Sequence, residues 1–304
     1  MKARNGKSLL VYFGMVGPGL LIYLFIVTYP IFYSVWLSFT NYNPNKGGAY
    51  NFVGFEQYIK MLKDPMFWHA LKNGLTVVVI SVFGQIPIGF ILAYILFRKT
   101  VKAQNFFQSM VFLPNFLSPV IIGVLWRQMF KADGPVAQLI RLFTGDPSAQ
   151  FTMMLKANTV MIPIGFALIW MYTGLYMIIF LANLQKIETS MIEAAQIDGA
   201  NEPQIFMRVI VPVLSGTVLV CTILAIAGSL RGFDLIFSLT TQGLTRRNAM
   251  VLPIFMYETA FLDFRNSSRY AYGAAISNAI VIICVVLILL SDFIGRKLHA
   301  GEDV

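Results

Sequence analysis

Long apolar runs alternate with short polar segments along the whole chain. A helix that crosses a membrane needs about 20 mainly apolar residues, and six runs reach that length. Because backbone groups in lipid must be hydrogen-bonded within the segment, we expect these runs to be α-helical. The six runs are residues 9–39, 75–97, 106–126, 159–182, 213–237 and 272–290. The pattern therefore predicts an all-α integral membrane protein with six transmembrane helices.

The segment between the first two runs has a different pattern. Residues 51–74 mix aromatic and basic side chains at roughly helical spacing. Such a mixture is typical of a short helix that lies along the membrane interface. Prolines fall inside several runs, among them Pro114 and Pro119, where membrane bundles tolerate them as kinks beside a cavity.

Composition agrees with lipid as the solvent. Of the 304 residues, 57% are hydrophobic and 12% are charged, whereas a soluble domain has about a quarter of its residues charged. The net charge is +9, but Lys and Arg stand in short clusters between apolar runs. Such clusters are typical of loops near phospholipid headgroups, so we expect membrane lipid and no nucleic acid as a partner.

An even number of spans puts both termini on one side of the membrane. Raw counts of Lys and Arg favour neither orientation. Their density in short flanks, such as residues 98–102, favours cytoplasmic termini. We therefore predict a cytoplasmic N-terminus at residues 1–8, a transmembrane domain at 9–290 and a cytoplasmic tail at 291–304.

Side chains that carry out chemistry are sparse. Cys221 and Cys284 lie inside apolar runs, and His69 and His299 are far apart. This pattern predicts structural cysteines and neither a metal site nor a catalytic site. The chain also lacks the G-x-x-x-x-G-K-[ST] pattern of a nucleotide-binding loop.

A charged segment, residues 183–212, interrupts the apolar pattern between the fourth and fifth runs. Ser190 and Glu193 have the S-x-x-E spacing of a capping box at a helix start. Gly199 is suited to end that helix in the left-handed conformation. Asn201 or its neighbour can cap a second helix. The local pattern predicts two short helices joined by a glycine turn.

The same segment resembles the EAA loop of permease subunits in ABC importers, in which EAA, a Gly and a Pro recur at fixed spacing. Val209 and Val211 replace the usual Ile and Leu. The residues that match are Glu193, Ala194, Ala195, Gly199 and Pro212, and Asp198 with Ala200 completes the D-G-A typical of the carbohydrate-uptake branch. Similarity to maltose-type and glycerol-phosphate-type permeases extends over nearly the whole chain.

The resemblance implies a type I ABC importer permease fold in the cytoplasmic membrane of a bacterium or archaeon. It implies that the EAA loop, at residues 183–212, and both termini are cytoplasmic. The expected partners are a second permease subunit, two ABC ATPase subunits and an extracytoplasmic solute-binding protein. We expect no cofactor in this chain, because ATP and Mg would be bound by the partner ATPases.

Candidate substrate contacts follow from polar and aromatic groups inside the apolar runs. Charged groups in a membrane are costly and are functional candidates by default. Arg231 and Asp234, at i and i+3, are expected to share one helix and to pair, although Arg231 could equally extend to the interface. The predicted pathway residues are Asn115, Trp170, Tyr172, Gly174, Tyr176, Arg231, Phe233 and Asp234.

Two other functions remain as alternatives at this point. An ion-coupled secondary transporter would hold ionisable groups near mid-membrane and often contains inverted repeats. The sequence offers neither feature clearly. A membrane enzyme would need clustered His and carboxylate groups, which two distant histidines do not supply.

Overall fold

A computed structural model describes residues 6–43, 48, 50–99, 102–240, 243–262 and 269–299. These residues are almost entirely helical, apart from connecting loops and an isolated antiparallel bridge between Thr40 and Phe52. The all-α prediction is confirmed for this part of the chain. Residues 1–5 of the predicted N-terminus and 300–304 of the predicted tail lie outside it.

The helices follow one another in a single long series. The α-helices are α1 (Gly6–Tyr23), α2 (Tyr29–Leu37), α3 (Glu56–Lys63), α4 (Pro65–Ile80), α5 (Ile86–Phe97), α6 (Gln104–Phe116), α7 (Pro119–Met129), α8 (Pro135–Thr144), α9 (Met161–Leu184), α10 (Thr189–Ile197), α11 (Glu202–Ile205), α12 (Val211–Val213), α13 (Ser215–Arg231), α14 (Asp234–Leu239), α15 (Leu244–Asn248), α16 (Leu252–Tyr257) and α17 (Tyr270–His299). Turns of π-helix occur at Leu24–Thr28, Ser81–Gln85, Phe206–Ile210 and Glu258–Leu262, and a 3-10 turn at Met153–Leu155.

Four helical segments of the described chain are long and apolar enough to cross a membrane: Gly14–Leu37, Pro65–Phe97, Met161–Leu184 and Tyr270–Lys297. They correspond to the first, second, fourth and sixth predicted spans. The second begins at Pro65 rather than at residue 75, because the aromatic and basic stretch continues directly into it as α4. The predicted interfacial helix is therefore restricted to α3.

The third predicted span is a bent pair rather than a continuous helix, and the fifth begins at a bend between α13 and the segment before it. The α6 and α7 axes differ by 96°. Leu117 and Ser118 have extended ψ angles of 148° and 131°, and Ser118 precedes Pro119, which disfavours the helical conformation at that residue. The segment Glu202–Val213 meets α13 at 72°. Counting each bent pair as one span gives the six that were predicted.

The chain forms two compact units, and the first comprises Met1–Pro65 with Met256–Val281. Polar contacts join its helices: Tyr272 donates a hydrogen bond to Asp64 at 2.9 Å, and Gln57 donates one to the Thr40 carbonyl at 3.0 Å. Only 6% of the span Gly14–Leu37 is buried. Its apolar surface therefore needs lipid or another subunit to cover it.

The second unit comprises Met66–Phe255 with Ile282–Val304 and contains the larger core. Here α5 packs along α9, and Phe90 stacks on Phe180 with ring centroids 4.3 Å apart. Helix α14 packs on α7, where a Cβ on Gly123 would lie 2.7 Å from the Leu235 carbonyl oxygen. These close approaches hold the unit together.

The predicted domain limits at residues 8/9 and 290/291 stay a prediction. Helix α1 begins at Gly6 and α17 runs to His299, so both limits fall within helices.

We expect Gly123→Ala to destabilise the second unit. Its new Cβ would lie 1.9 Å from Ser238 Oγ, and overpacking of this kind costs about 1–3 kcal/mol. Gly216→Ala is the matched control, because a Cβ there meets nothing within 4 Å. Thermal unfolding in mild detergent measures both variants. An equal midpoint for the two would contradict the packing assigned to Gly123.

Candidate functional site

The segment from α10 to α12 contains every residue of the E-A-A, D-G-A and Pro212 pattern. Gly199 has a left-handed φ of +80° directly after α10. The Gly199 N–H donates to the Gln196 carbonyl and the Ala200 N–H to the Ala195 carbonyl, both at 3.0 Å. This is the Schellman arrangement that ends a helix. The predicted glycine turn is confirmed.

The two helix starts of this segment differ from each other. Asn201 forms a capping box with Gln204, as its position predicted: the Gln204 N–H donates to Asn201 Oδ1, and the Asn201 N–H donates to Gln204 Oε1. The capping box expected from Ser190 and Glu193 is wrong. Helix α10 begins two residues earlier than predicted, with Glu188 as its N-cap, so Ser190 lies inside the first turn.

Helix α10 presents nearly all of its surface outward. Only Ile192 is buried, whereas Glu193 and Ala194 are exposed. The apolar side chains of Met191, Ile197 and Met207 are also exposed, Ile197 to 86%. Apolar groups rimmed by polar residues on an exposed helix are typical of a protein–protein contact.

A few buried residues anchor the α10–α12 segment to the second unit. Ile192, Ile205 and Ile210 enter the core beside Phe180. In addition, Glu202 accepts hydrogen bonds from Arg98 and from Tyr94 at the end of α5. Sequence reasoning missed this contact, because nothing in the local pattern connects residues about 100 positions apart.

A cleft of about 590 Å³ lies beside α10. Amide side chains line much of it, including Gln104, Gln108, Gln185 and Gln196, and Glu193 stands on its rim. The outward face of α10 therefore continues into a polar recess.

A second cleft, of about 400 Å³, lies between α4, α9 and the α13–α14 junction, and we call it the α9 cleft. Five of the eight predicted pathway residues line it: Tyr172, Tyr176, Arg231, Phe233 and Asp234. The structure thus brings together side chains from two predicted spans. Asn115, Trp170 and Gly174 do not line this cleft.

The expected pairing of Arg231 and Asp234 on one helix is wrong. Helix α13 ends at Arg231, Gly232 is extended with ψ 105°, and α14 begins at Asp234. In the part of the chain that the structure describes, no ion pair joins Arg231 and Asp234. Both are exposed, and both line the α9 cleft. A break in the helix therefore turns two charged side chains toward one cavity instead of toward each other.

The three remaining predicted residues have other surroundings. A Cβ on Gly174 would lie 2.4 Å from the Val111 carbonyl oxygen, so this glycine lets α6 and α9 approach and leaves no room for a ligand. Trp170 packs edge-on against Trp126 at 5.6 Å. Asn115 lies at the end of α6, just before the bend.

The α9 cleft also contains polar residues outside the predicted set. Ser81 and Gln85 are buried in the π-helical turn between α4 and α5, and both line the cleft. Ser229 Oγ donates to Ser81 Oγ at 2.8 Å. A buried amide inside an apolar run was the sequence signal for Gln85, but such amides also serve as hydrogen bonds between helices.

No group of three or more metal-ligating side chains occurs among the described residues. What the two sites offer is an exposed helix for a protein contact and a cleft with hydroxyl, amide and charged groups for a polar ligand.

Comparisons with known proteins agree on one family. The family model for the binding-protein-dependent transport system inner membrane component matches residues 85–301. The lactose transport system permease protein LacF of Rhizobium radiobacter is 30% identical over 285 residues, which cover 93% of each chain. The multiple sugar-binding transport system permease protein MsmF of Streptococcus mutans is 31% identical over 271 residues, 88% of this chain and 89% of its own.

A solved structure shares the fold. It is the crystal structure of a bacterial ABC transporter involved in the import of the acidic polysaccharide alginate. Its matching chain has a TM-score of 0.81 and 22% identity, with 96% of both chains covered. The type I permease architecture is thereby confirmed.

We expect Gly199→Val to open the turn after α10 more than Gly199→Asn does. A left-handed backbone costs ordinary L-residues about 1–2 kcal/mol, whereas Asn tolerates it. Hydrogen exchange at the amides of residues 199 and 200 should rise roughly tenfold for Val, as 1.4 kcal/mol corresponds to a factor of ten. Equal exchange in the two variants would contradict the Schellman turn.

Proposed function

The chain belongs to the family of binding-protein-dependent transport system inner membrane components, and we propose that it is the permease subunit of an ATP-driven sugar importer. In this role it forms half of the translocation pathway. It is a non-catalytic subunit. The observation that carries the proposal is the exposed α10–α12 segment, in which E-A-A, Gly199 and Pro212 stand at the family spacing.

The α10–α12 segment is the docking site for a cytoplasmic ATPase. Ala194 leaves room for a close approach, and exposed Glu193 offers a charge to a basic residue of the partner. Met191 and Ile197 are the apolar side chains that the partner would cover. ATP binding in the ATPase pair moves the docked segment and changes which side of the membrane the pathway faces.

The α9 cleft is the part of the pathway that this subunit contributes. Sugars need hydrogen-bonding groups and aromatic faces, and the cleft supplies Tyr172, Tyr176, Ser81 and Gln85. The names of the two relatives, for lactose and for multiple sugars, support sugar as the substrate class. Arg231 and Asp234 suit a strongly hydrogen-bonding or anionic sugar.

Partners complete the assembly. A second permease subunit supplies the other half of the pathway, two ATPase subunits bind ATP and Mg, and an extracytoplasmic binding protein delivers the sugar. The membrane-spanning helices and the family indicate a multi-pass protein of the cytoplasmic membrane. Cytoplasmic termini are part of the proposal, since the α10–α12 segment must face the ATPase.

The comparisons give no support to the ion-coupled transporter. Each family match is to a binding-protein-dependent or ABC permease. The α9 cleft does hold two charged groups, but hydroxyl and amide groups surround them.

We expect the double variant Glu193→Ala, Gly199→Pro to lose binding of the partner ATPase. The first change removes the exposed carboxylate, and the second is incompatible with a φ of +80°, since proline fixes φ near −65°. Purification of the tagged chain from native membranes should recover an ATPase and a second permease. The double variant should retain only the second permease.

Glu56→Ala is the control, because it removes an exposed carboxylate from α3, far along the chain from this segment. Recovery of a transport-competent wild-type protein without any ATPase would overturn the proposal and favour the secondary transporter.

We expect Arg231→Gln with Asp234→Asn to weaken transport of the sugar that the wild type takes up. Asp234→Asn keeps side-chain size, Arg231→Gln gives a shorter polar side chain, and both remove charge from the α9 cleft. Loss of charge-assisted hydrogen bonds should raise the half-saturation concentration about tenfold or more. Arg127→Gln is the control, because Arg127 does not line this cleft. Unchanged affinity and specificity in vesicle uptake of neutral and anionic sugars would contradict this assignment.

A further inference from the structure

Glu202 is held by two residues at the end of α5. Arg98 Nε donates to Glu202 Oε2 at 3.1 Å, and Arg98 Nη2 forms an ion pair with Glu202 Oε1. Tyr94 donates its hydroxyl hydrogen to Glu202 Oε2 at 2.8 Å. The guanidinium thus meets the carboxylate with two bonds, a geometry that fixes orientation as well as distance. Glu202 is the first residue of α11, so this contact binds the α10–α12 segment to α5.

Aromatic packing reinforces the same attachment. Phe206, four residues after Glu202, lies 5.0 Å from Phe90 and 4.8 Å from Tyr94 between ring centroids. Phe90 in turn stacks on Phe180 of α9. The rings form a continuous series of contacts from the α10–α12 segment through α5 to α9. Aromatic contacts at these separations favour defined orientations.

The helix that receives this contact also reaches the α9 cleft. Pro65–Phe97 is one continuous helical segment. Its C-terminal end contains Tyr94, and Val77, Ser81 and Gln85 in its middle line the α9 cleft. Ser81 accepts a hydrogen bond from Ser229 on the opposite wall of the α9 cleft. The end of α5 and the residues that line the cleft therefore belong to one continuous helical segment.

We propose that Arg98 and Tyr94 hold Glu202 by hydrogen bonds. Movement of the α10–α12 segment is thereby transferred to the Pro65–Phe97 helix and to the α9 cleft. Glu202 and Arg98 are positioning residues for coupling and not part of the surface that the ATPase contacts. The inference rests on the proposed function, in which the α10–α12 segment docks on an ATPase.

Because the Arg98–Glu202 ion pair is partly exposed, its effect on coupling can be measured separately from its effect on stability. The side chains of Arg98 and Glu202 are 23% and 53% exposed. Ion pairs this exposed contribute little to folding, so their loss should leave the protein intact. Core contacts at Ile205 and Ile210 keep the segment attached in the variants. Removal of the pair should loosen the connection without releasing the segment.

The test uses the complete complex with both permeases, the ATPases and the binding protein, reconstituted in lipid vesicles. The variants are Arg98→Gln, Glu202→Gln, their combination, and the exchange Arg98→Glu with Glu202→Arg. The readouts are ATPase recovery in the purified complex and the number of sugar molecules transported per ATP hydrolysed. Glu56→Gln is the control, since it breaks the exposed ion pair of Glu56 with Lys60 within α3.

We expect each single variant to retain its ATPase and to lose at least fivefold in sugar transported per ATP. The combined variant should be no worse than either single one, because both remove the same contact. The exchanged pair should recover at least half of the wild-type ratio, which a general loss of structure would not allow. Tyr94→Phe should give a smaller loss.

Three outcomes would overturn the inference: an unchanged ratio in the single variants, additive losses in the combined variant, or loss of the ATPase from the complex. The last would mean that Glu202 belongs to the docking surface. A failure of the proposed function would appear earlier and differently, as a wild-type complex that contains no ATPase.

Discussion

The contact between α5 and α9 is the constraint on which both sites depend. A Cβ on Gly89 would lie 3.0 Å from the Thr173 carbonyl oxygen and from the Met177 nitrogen, so only glycine permits the two backbones to approach this closely. At the next residue of α5, Phe90 stacks on Phe180. Helix α9 supplies Tyr172 and Tyr176 to the cleft, while α5 holds the α10–α12 segment. If this contact were to loosen, the α9 cleft and the α10–α12 segment would lose their common support.

The breaks at Ser118 in the third predicted span and at Gly232 in the fifth have a clear role in this arrangement. A straight helix hydrogen-bonds its own backbone groups, but it cannot turn the side chains at its end into a cavity. The break at Gly232 does so, because it starts a new helix at Asp234 and aims that residue and Arg231 at the α9 cleft. The break at Ser118 sends α7 sideways, where it meets α14. Interruptions in the helices thus shape the α9 cleft, and the uninterrupted α9 forms one of its walls.

Some of this could be predicted from the sequence, and the reasons differ from residue to residue. Gly199 and Asn201 were predictable because helix caps depend on residues within one turn. Pro119 indicated a bend at Ser118, although no local rule gives its 96° angle. Gly174 was predicted to belong to the pathway but instead admits α6, and the sequence alone does not show which neighbour a glycine in a helix admits. The contact of Arg98 with Glu202 depends on tertiary packing and left no local signal.

The π-helical turn at Ser81–Gln85 determines how the two halves of the second span are rotated relative to each other. A π turn accommodates one extra residue within an α-helix, and one residue corresponds to about 100° of rotation. The turn therefore sets the angle between the α4 face that lines the cleft and the α5 face that holds Glu202. Deletion of one residue here would restore a regular helix and swing Tyr94 and Arg98 away from their partner. The extra residue of the π turn thus keeps the surface that lines the cleft and the surface that holds Glu202 in phase along one span.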